Sequence, residues 1–254
     1  MSLTVEEWHQ QFLRQAHWTQ GIRSRLFRQA GLWRAGAVLD VGCGTGVITE
    51  ELSRRTEGRV VGLDLNPAMV RHAAGRVQSA EWVVGDAHHL PFPTGAFDLV
   101  ICNFLLLWAE NPPLAVEEMS RVLREGGVLL AGTEPDYGGR IDYPEDISLG
   151  PLMEESLHRE GAHPRIGRRL KAMFSRAGLE PQTGVIPSMW DDRQLREEFE
   201  AEWAFIFKTL NSVAEGARLL EYKERAWRAL EKGERLVFMP IFWAVGTKPG
   251  GHSR

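Results

Sequence analysis

A glycine-rich turn directly after a short apolar run constrains the fold of this chain more than any other feature. Val38, Leu39 and Val41 are typical of a buried strand, and the sequence GCGTG follows at residues 42–46. Glycine permits positive φ and lets a ligand approach the backbone. A helix predicted over residues 45–55 would present free N–H groups at its first turn. Taken alone, the turn is also compatible with an ordinary tight connection.

Strand-like and helix-like segments alternate along the first half of the chain. Asn66 followed by Pro67 is typical of a helix start, because a capping side chain precedes proline at the first helical position. Strands that alternate with helices indicate βαβ units and a parallel sheet. Continuous apolar strands are expected where helices cover both faces. Further strands are predicted over residues 58–64, 81–84, 97–102, 128–133, 179–189 and 236–246, and helices over 67–78, 112–123, 149–160, 166–177 and 192–232.

Composition excludes several classes of function. The chain has 254 residues and a net charge of −4, so its surface offers no overall attraction for nucleic-acid phosphates, and no nucleic-acid partner is expected. The longest apolar run, residues 104–109, is too short to span a bilayer, and residues 1–20 do not resemble a signal peptide. Only Cys43 and Cys102 are cysteines, which favours a reduced interior. We therefore expect a cytoplasmic protein with no membrane partner.

Polar residues follow the ends of several predicted strands. Asp64 ends the second strand, Asp86 follows the third, Asn103 the fourth and Glu134 the fifth. Ligands of open parallel sheets bind outside the carboxyl ends of the strands. Asp64 can accept hydrogen bonds from ribose hydroxyls, and it can also stabilise the N-terminus of the next helix; the two roles are compatible.

A nicotinamide dinucleotide is one alternative ligand for the glycine turn. Its fingerprint, G-x-G-x-x-G, requires a third glycine where this chain has Val47. The spacing G-x-G-x-G therefore disfavours an NAD(P)-dependent oxidoreductase.

Four segments carry a resemblance to a known family. VLDVGCGTG at residues 38–46 resembles motif I of the class I S-adenosylmethionine-dependent methyltransferases, and VGLDLNPAM at 61–69 resembles their second motif. GDA at 85–87, with LPF at 90–92 and FDLV at 97–100, resembles the third, and RVLREGG at 121–127 resembles the entry to the fifth strand. The motifs follow in order and at family spacing over roughly residues 37–134, and they are similar to the branch typified by ubiquinone and menaquinone biosynthesis.

The resemblance implies a fold and a domain plan. The expected fold is α/β, with a Rossmann-like, seven-stranded, mostly parallel sheet of order 3-2-1-4-5-7-6 whose last strand is antiparallel, and with helices on both faces. Residues 1–248 would form a single domain. Within it, residues 1–35 would be a helical cap, 36–135 the cofactor-binding half, and 136–164 and 191–233 substrate-side insertions. Residues 249–254 would be a flexible tail.

The resemblance also implies S-adenosyl-L-methionine as the cofactor. An ordinary core role is the alternative for Leu65, Met69 and Phe104. The N-terminal helix is expected to cover the cofactor, with Arg14 and Trp18 as candidate contacts, although solvated or packing roles are equally compatible. The remaining implied positions are Asp40, Gly42, Cys43, Gly44 and Gly46 at the methionine moiety, Asn103 and Phe104 at the methyl-transfer mouth, Asp64 at the ribose, and Leu65, Met69, Asp86 and Ala87 around the adenine.

The segment after the fifth strand is expected to face the substrate. Glu134 and Tyr137 are predicted to orient or deprotonate it, and His163 to recognise an acidic substrate; these three are the predicted catalytic residues. A structured loop with solvated charges is an equal alternative. No metal is predicted, because the paired histidines His88 and His89 lack carboxylate or cysteine partners at ligand spacing.

Three functions stay open. The first is transfer of a methyl group from S-adenosylmethionine to a small-molecule acceptor by direct displacement, without a metal. The second is a binding module that keeps the cofactor fold without catalysis, and the third is the disfavoured NAD(P)-dependent oxidoreductase. A monomer or a homodimer is expected, since the aromatic-rich residues 192–232 suit packing, an apolar pocket or a dimer interface.

Overall fold

The computed structural model describes residues 3–250, so residues 251–254 of the predicted tail lie outside the described part. The helices are α1 (Val5–Gln29), α2 (Val47–Ser53), α3 (Pro67–Arg76), α4 (Pro112–Val122), α5 (Leu149–Arg159), α6 (Leu170–Arg176), α7 (Asp192–Leu210) and α8 (Gly216–Glu231). The strands are β1 (Ala37–Val41), β2 (Arg59–Asp64), β3 (Glu81–Val84), β4 (Phe97–Cys102), β5 (Leu123–Pro135), β6 (Ile141–Tyr143), β7 (Glu180–Met189) and β8 (Leu236–Thr247).

One twisted sheet contains all of these strands. The order is β3-β2-β1-β4-β5-β8-β6, with β7 paired to β8. The pairs among β1 to β5 are parallel, and β8 runs antiparallel to β5, β6 and β7. The predicted fold class and order are confirmed when β7 and β8 are counted as the sixth and seventh strands. The predicted count of seven was one too low, because the chain returns to the β8 edge as β6 after the turn that follows β5.

Local sequence explains where the helices begin. Asn66 accepts a hydrogen bond from the Ala68 N–H at 2.9 Å and Pro67 opens α3, as the sequence predicts. Two predicted helices differ from the structure. The helix expected over residues 192–232 is broken between α7 and α8, and the one expected over 166–177 begins with a 3₁₀ turn, Gly167–Arg169, before α6.

The buried apolar side chains form three clusters. One lies on the α4 and α6 face of the sheet and includes Phe97 and Phe174, and a second lies on the α1 and α2 face and includes Phe27. The third belongs to the insertions: Phe199 and Trp203 of α7 pack with residues of α5 and α8. The insertions thus have a core of their own beside the edge of the sheet. Within residues 3–250, no helix is both long and apolar enough to cross a membrane.

Candidate active site

A cavity of about 650 Å³ lies at the carboxyl ends of β1 to β5. Parts of α1, α5 and α7 also line it. Within the described residues, five predicted site positions do not line this cavity: Arg14, Trp18, Gly46, Glu134 and His163. The others do, namely Asp40, Gly42, Cys43, Gly44, Asp64, Leu65, Met69, Asp86, Ala87, Asn103, Phe104 and Tyr137.

The glycine turn is fixed to the neighbouring strand through its backbone. The N–H groups of Gly42 and Cys43 both donate to the Leu63 carbonyl, at 2.8 and 3.0 Å. Gly44 has a φ of +52°, and a methyl group added there would lie 2.7 Å from the Phe12 ring. This turn therefore requires glycine for its conformation and for the close approach of α1. Gly46 caps α2 with a φ of +82°.

Asp64 connects the glycine turn to the start of α3. One carboxylate oxygen accepts from the Gly44 N–H and the other from the Asn66 N–H, both at 2.8 Å. The carboxylate has acceptor capacity left beyond these two bonds and it borders the cavity. It can therefore receive further hydroxyl donors from a ligand without losing its structural bonds.

Asp86 is held by the residue two positions later. Its Oδ1 accepts from the His88 N–H at 2.9 Å and lies 2.7 Å from His88 Nδ1. His88 Nε2 accepts from the Asn111 N–H at 3.1 Å, so the imidazole carries its proton on Nδ1 and donates it to Asp86. These bonds, led by the backbone N–H of His88, hold the pKa of Asp86 below its ordinary value. Asp86 is therefore an ionised acceptor at the cavity wall.

Asp40 is buried beneath the glycine turn. Thr49 Oγ1 donates to its Oδ2 at 2.6 Å. Burial raises the pKa of Asp40 to about 7, the Thr49 bond lowers it in part, and the charge of Asp64 raises it further. The carboxyl group of Asp40 can thus gain or lose a proton near neutral pH. Asp40 also lines the cavity.

The turn after β4 forms part of the cavity wall. Phe104 has a φ of +52°, unusual for a side-chain-bearing residue, and its N–H donates to the Thr133 carbonyl at 2.9 Å. Asn103 Oδ1 accepts from Thr133 Oγ1 at 3.1 Å, while its Nδ2 is buried without a hydrogen-bond partner in the described structure. Asn103 therefore lines the cavity with an amide Nδ2 that no described residue accepts from.

Glu134 stabilises the turn after β4 through its side chain. Its side chain is fully buried and accepts hydrogen bonds from the N–H groups of Leu105, Leu106 and Leu107 at 3.1, 3.2 and 3.2 Å. Burial raises the pKa of Glu134 to about 8, and the three backbone donors lower it in part. A carboxyl group engaged in this way positions the wall rather than reaching a substrate.

The other two predicted catalytic residues are separated. Tyr137 lines the cavity. Burial raises its pKa above the ordinary value, so the hydroxyl keeps its proton at neutral pH and acts as a donor. His163 lies outside the cavity lining, and its backbone N–H donates to the Leu107 carbonyl at 2.7 Å.

Helix α1 covers the cavity and is called the roof below. The residues that it contributes were not predicted as site residues from the sequence. Trp8, Phe12 and Gln15 line the cavity, and their spacing of four and three residues places them on one face of the helix. The hydrophobic periodicity of α1 could have identified this face. Arg14 instead hydrogen-bonds Gln11, and Trp18 packs against Trp190 with ring centroids 4.8 Å apart.

A salt bridge joins the roof to the insertion. Lys208 Nζ of α7 lies 2.6 Å from Glu7 Oε1 of α1. The two residues are 201 positions apart, so no sequence signal could have paired them.

The fold and this cavity define the class of the protein: an open α/β sheet with a cavity at the carboxyl ends of its parallel strands. Residues 39–131 match the family model described as "Methyltransferase domain". The chain therefore carries a methyltransferase domain over these residues, and the resemblance seen in the sequence is confirmed.

Two curated relatives were compared with the chain. It is 34% identical over 172 residues to an uncharacterized 37.1 kDa protein in transposon TN4556 of Streptomyces fradiae, covering 64% of this chain and 49% of that protein. It is 40% identical over 119 residues to the malonyl-[acyl-carrier protein] O-methyltransferase of Herminiimonas arsenicoxydans, covering 46% of this chain and 45% of that protein. The chain thus spans about half the length of these curated relatives.

A solved structure extends the likeness beyond the matched domain. Phosphoethanolamine N-methyltransferase 2 of Haemonchus contortus, in complex with S-adenosylhomocysteine, superposes with a TM-score of 0.63 at 16% identity. The superposition covers 91% of this chain and 52% of that one. At this identity the likeness concerns the fold.

Proposed function

We propose that this chain transfers a methyl group from S-adenosyl-L-methionine to a small-molecule acceptor by direct displacement, without a metal. One observation carries the proposal: a single cavity joins the glycine turn and Asp64 at one end to Asn103 and Tyr137 at the other. A cofactor held at the first end would have its reactive group beside the second.

The residues at the first end fit such a cofactor. Gly44 leaves no room for a side chain beneath Phe12, so ligand and roof can both approach the backbone. Asp64 would receive the ribose hydroxyls, and Asp86 the adenine amine. Leu65 and Met69, which border the cavity, would flank the ring, and the buried donor of Asn103 would face the methionine end.

The chemistry needs alignment more than acid–base catalysis. When bound, S-adenosylmethionine would supply an activated methyl group: the acceptor's electron pair would form the new bond to that carbon, the carbon–sulfur pair would remain on sulfur, and the acceptor's proton would leave to solvent. The chain contributes orientation and exclusion of water, effects that are worth about 7–11 kcal/mol in favourable intramolecular reactions. Tyr137 would hold the nucleophilic atom by hydrogen bonding, and the α1 roof would keep water out.

A binding module without catalysis is a second candidate, and one observation favours it. Of the three predicted catalytic residues, only Tyr137 lines the cavity. Glu134 is engaged by backbone donors. Without a general base, a chain could still align the methyl group for transfer. It could equally bind the cofactor without catalysing transfer.

Two measurements separate these possibilities. Calorimetry with S-adenosylhomocysteine, against NAD as the control, is expected to show binding of the sulfur ligand alone. Release of S-adenosylhomocysteine from S-adenosylmethionine is then measured across a panel of small metabolites. Binding without turnover on any acceptor would favour the binding module, and binding of NAD alone would refute the proposal.

We further propose the division of labour expected from the sequence. Residues 1–248 would act as one domain, with residues 36–135 holding the cofactor, and lining of the cavity by α5 and α7 supports an acceptor role for residues 136–164 and 191–233. A reducing, cytoplasmic compartment is consistent with Cys43 and Cys102, which are both buried and free.

A further inference from the structure

We propose that the acceptor is a neutral, largely apolar molecule that presents one hydroxyl group to Tyr137. This inference rests on the proposed function and assigns a chemical class to the half of the cavity beyond Asn103. That half is called the acceptor chamber below. It is lined by Leu107, Tyr137, Met153, Leu157, Phe205 and Leu210, with Ser156, Thr209, Glu160 and Lys208.

The carbon surface of the acceptor chamber favours an apolar body. Met153 and Leu157 come from α5, Phe205 and Leu210 from α7, and Leu107 from the turn after β4. Burial of apolar surface is worth roughly 25 cal/mol per Å². Aromatic and aliphatic walls on three sides therefore suit a flat or branched hydrocarbon skeleton.

The hydroxyl groups of Ser156 and Thr209 in the acceptor chamber already donate to backbone carbonyls. Ser156 Oγ donates to the Thr209 carbonyl at 2.8 Å, and Thr209 Oγ1 donates to the Phe205 carbonyl at 2.9 Å. The Nδ2 of Asn103 lacks a hydrogen-bond partner in the described part of the chain, and Tyr137 also lines the cavity with its side chain. A ligand can thus form few polar contacts here, and they lie where methyl transfer would occur.

The charges around the acceptor chamber do not favour an anion. Lys208 is the one lysine or arginine among the described residues that line the cavity, and Glu7 neutralises it at 2.6 Å. Two acids that line the cavity, Glu110 and Glu160, are exposed and are called the rim acids below. Because an unpaired charge is costly to bury, a carboxylate or phosphate would enter without a free cation to receive it.

Arg140 and Arg165, which follow β5, are already paired with acids. Arg140 pairs with Asp142 at 2.8 Å, and that carboxylate also accepts from Arg235 at 2.6 Å. Arg165 pairs with Glu154 at 2.5 Å. Recruiting any of these for an anionic ligand would break an existing ion pair and leave a partly buried acid unpaired.

A buried ammonium ion is disfavoured by the same interior. The rim acids Glu110 and Glu160 are exposed, so solvent screens their attraction for a cation, while the chamber walls beyond them are apolar. The balance of polar and charged groups therefore selects a neutral acceptor over either ion.

Three matched probes test this choice by calorimetry on protein saturated with S-adenosylhomocysteine. They are naphthalenemethanol, naphthoate and the naphthylmethylammonium ion, each substituted at the same ring carbon. The neutral alcohol is expected to bind at least about tenfold more tightly than either ion, a difference of about 1.4 kcal/mol. Equal or tighter binding of either ion, or no binding of any probe, would overturn the proposal.

Two substitutions locate the effect. Leu157→Arg adds a cation to the acceptor chamber and is expected to shift the preference towards naphthoate, whereas Leu220→Arg, at an exposed position of α8, is the control that leaves the order unchanged. Tyr137→Phe is expected to weaken the alcohol about three- to tenfold, since one hydrogen bond is worth about 0.5–1.5 kcal/mol. It should leave unsubstituted naphthalene unaffected; equal weakening of both would overturn the role of the hydroxyl.

The same experiment keeps the two proposals apart. Absence of S-adenosylhomocysteine binding contradicts the proposed function, and the order of the three probes on the free protein still tests the acceptor chamber. Normal cofactor binding with the wrong order of probes contradicts the acceptor class alone.

Discussion

Substitution of Glu134 tests how the turn after β4, which lines the cavity, is stabilised. Its two carboxyl oxygens accept three backbone N–H groups, with Oε1 serving Leu105 and Leu106 and Oε2 serving Leu107. Glu134→Gln keeps one oxygen and replaces the other with an NH₂ group, which cannot accept. Glu134→Ala removes both acceptors.

The number of lost acceptors sets the expected magnitudes. A buried donor left without a partner costs about 1–3 kcal/mol. Glu134→Gln is therefore expected to lower the free energy of unfolding by about 1–3 kcal/mol, because at least one N–H faces the new amide donor. Glu134→Ala leaves three donors unpaired and a cavity, so a loss of about 3 kcal/mol or more is expected.

The assay is urea unfolding of the whole chain, followed by calorimetry with S-adenosylhomocysteine. Glu57→Gln, at an exposed position, is the matched control and is expected to unfold like the unmodified chain. Both Glu134 variants should also bind the cofactor product more weakly, since Phe104 and Leu105 of the displaced turn line the cavity. Wild-type stability and affinity in Glu134→Gln would refute the positioning role.

Three further predictions concern the cofactor end. Asp64→Asn is expected to weaken S-adenosylhomocysteine binding roughly ten- to a hundredfold, because hydrogen bonds to a charged acceptor contribute about 1.5–3 kcal/mol; calorimetry against Glu57→Gln checks this, and unchanged affinity would remove Asp64 from the site. Gly44→Ala is expected to destabilise the chain by about 1–2 kcal/mol through its positive φ and to speed proteolysis of α1, because the added methyl meets Phe12; an α1 as resistant as before would argue against this contact. Burial raises the pKa of Asp40 to about 7 in the folded chain. Between about pH 4 and pH 7, the folded chain therefore keeps a proton on Asp40 that the unfolded chain loses. Stability should therefore fall as pH rises from about 4 to about 7, by at most about 1.4 kcal/mol per pH unit. Asp40→Asn should flatten that part of the unfolding profile, and parallel profiles for the two proteins would contradict the shift.

Several features of the fold could be predicted because they depend on local sequence. Asn66 and Pro67 start α3 where the capping pattern places the helix, and Phe97–Cys102 forms a strand because its apolar run suits burial under helices. The break between α7 and α8 was missed, because amphipathic spacing continues on both sides of it. The extra strand β6 was also missed, since a three-residue strand forms only where β8 offers an unpaired edge.

The sequence alone determined the parallel arrangement of the first strands, the glycine turn and the acids at the ends of successive strands, because parallel strands bring their carboxyl ends to one edge, and the resemblance to a family added the order of the strands. Only the tertiary structure decided what each side chain does there. Glu134 lies near the end of β5 as Asp64 lies at the end of β2, yet the Glu134 side chain is buried beneath the turn after β4, whereas Asp64 borders the cavity. Lys208 gains its partner Glu7 only because α7 and α1 meet over that cavity. Side-chain direction and long-range pairing follow from packing, and the spacing of residues along a chain does not contain them.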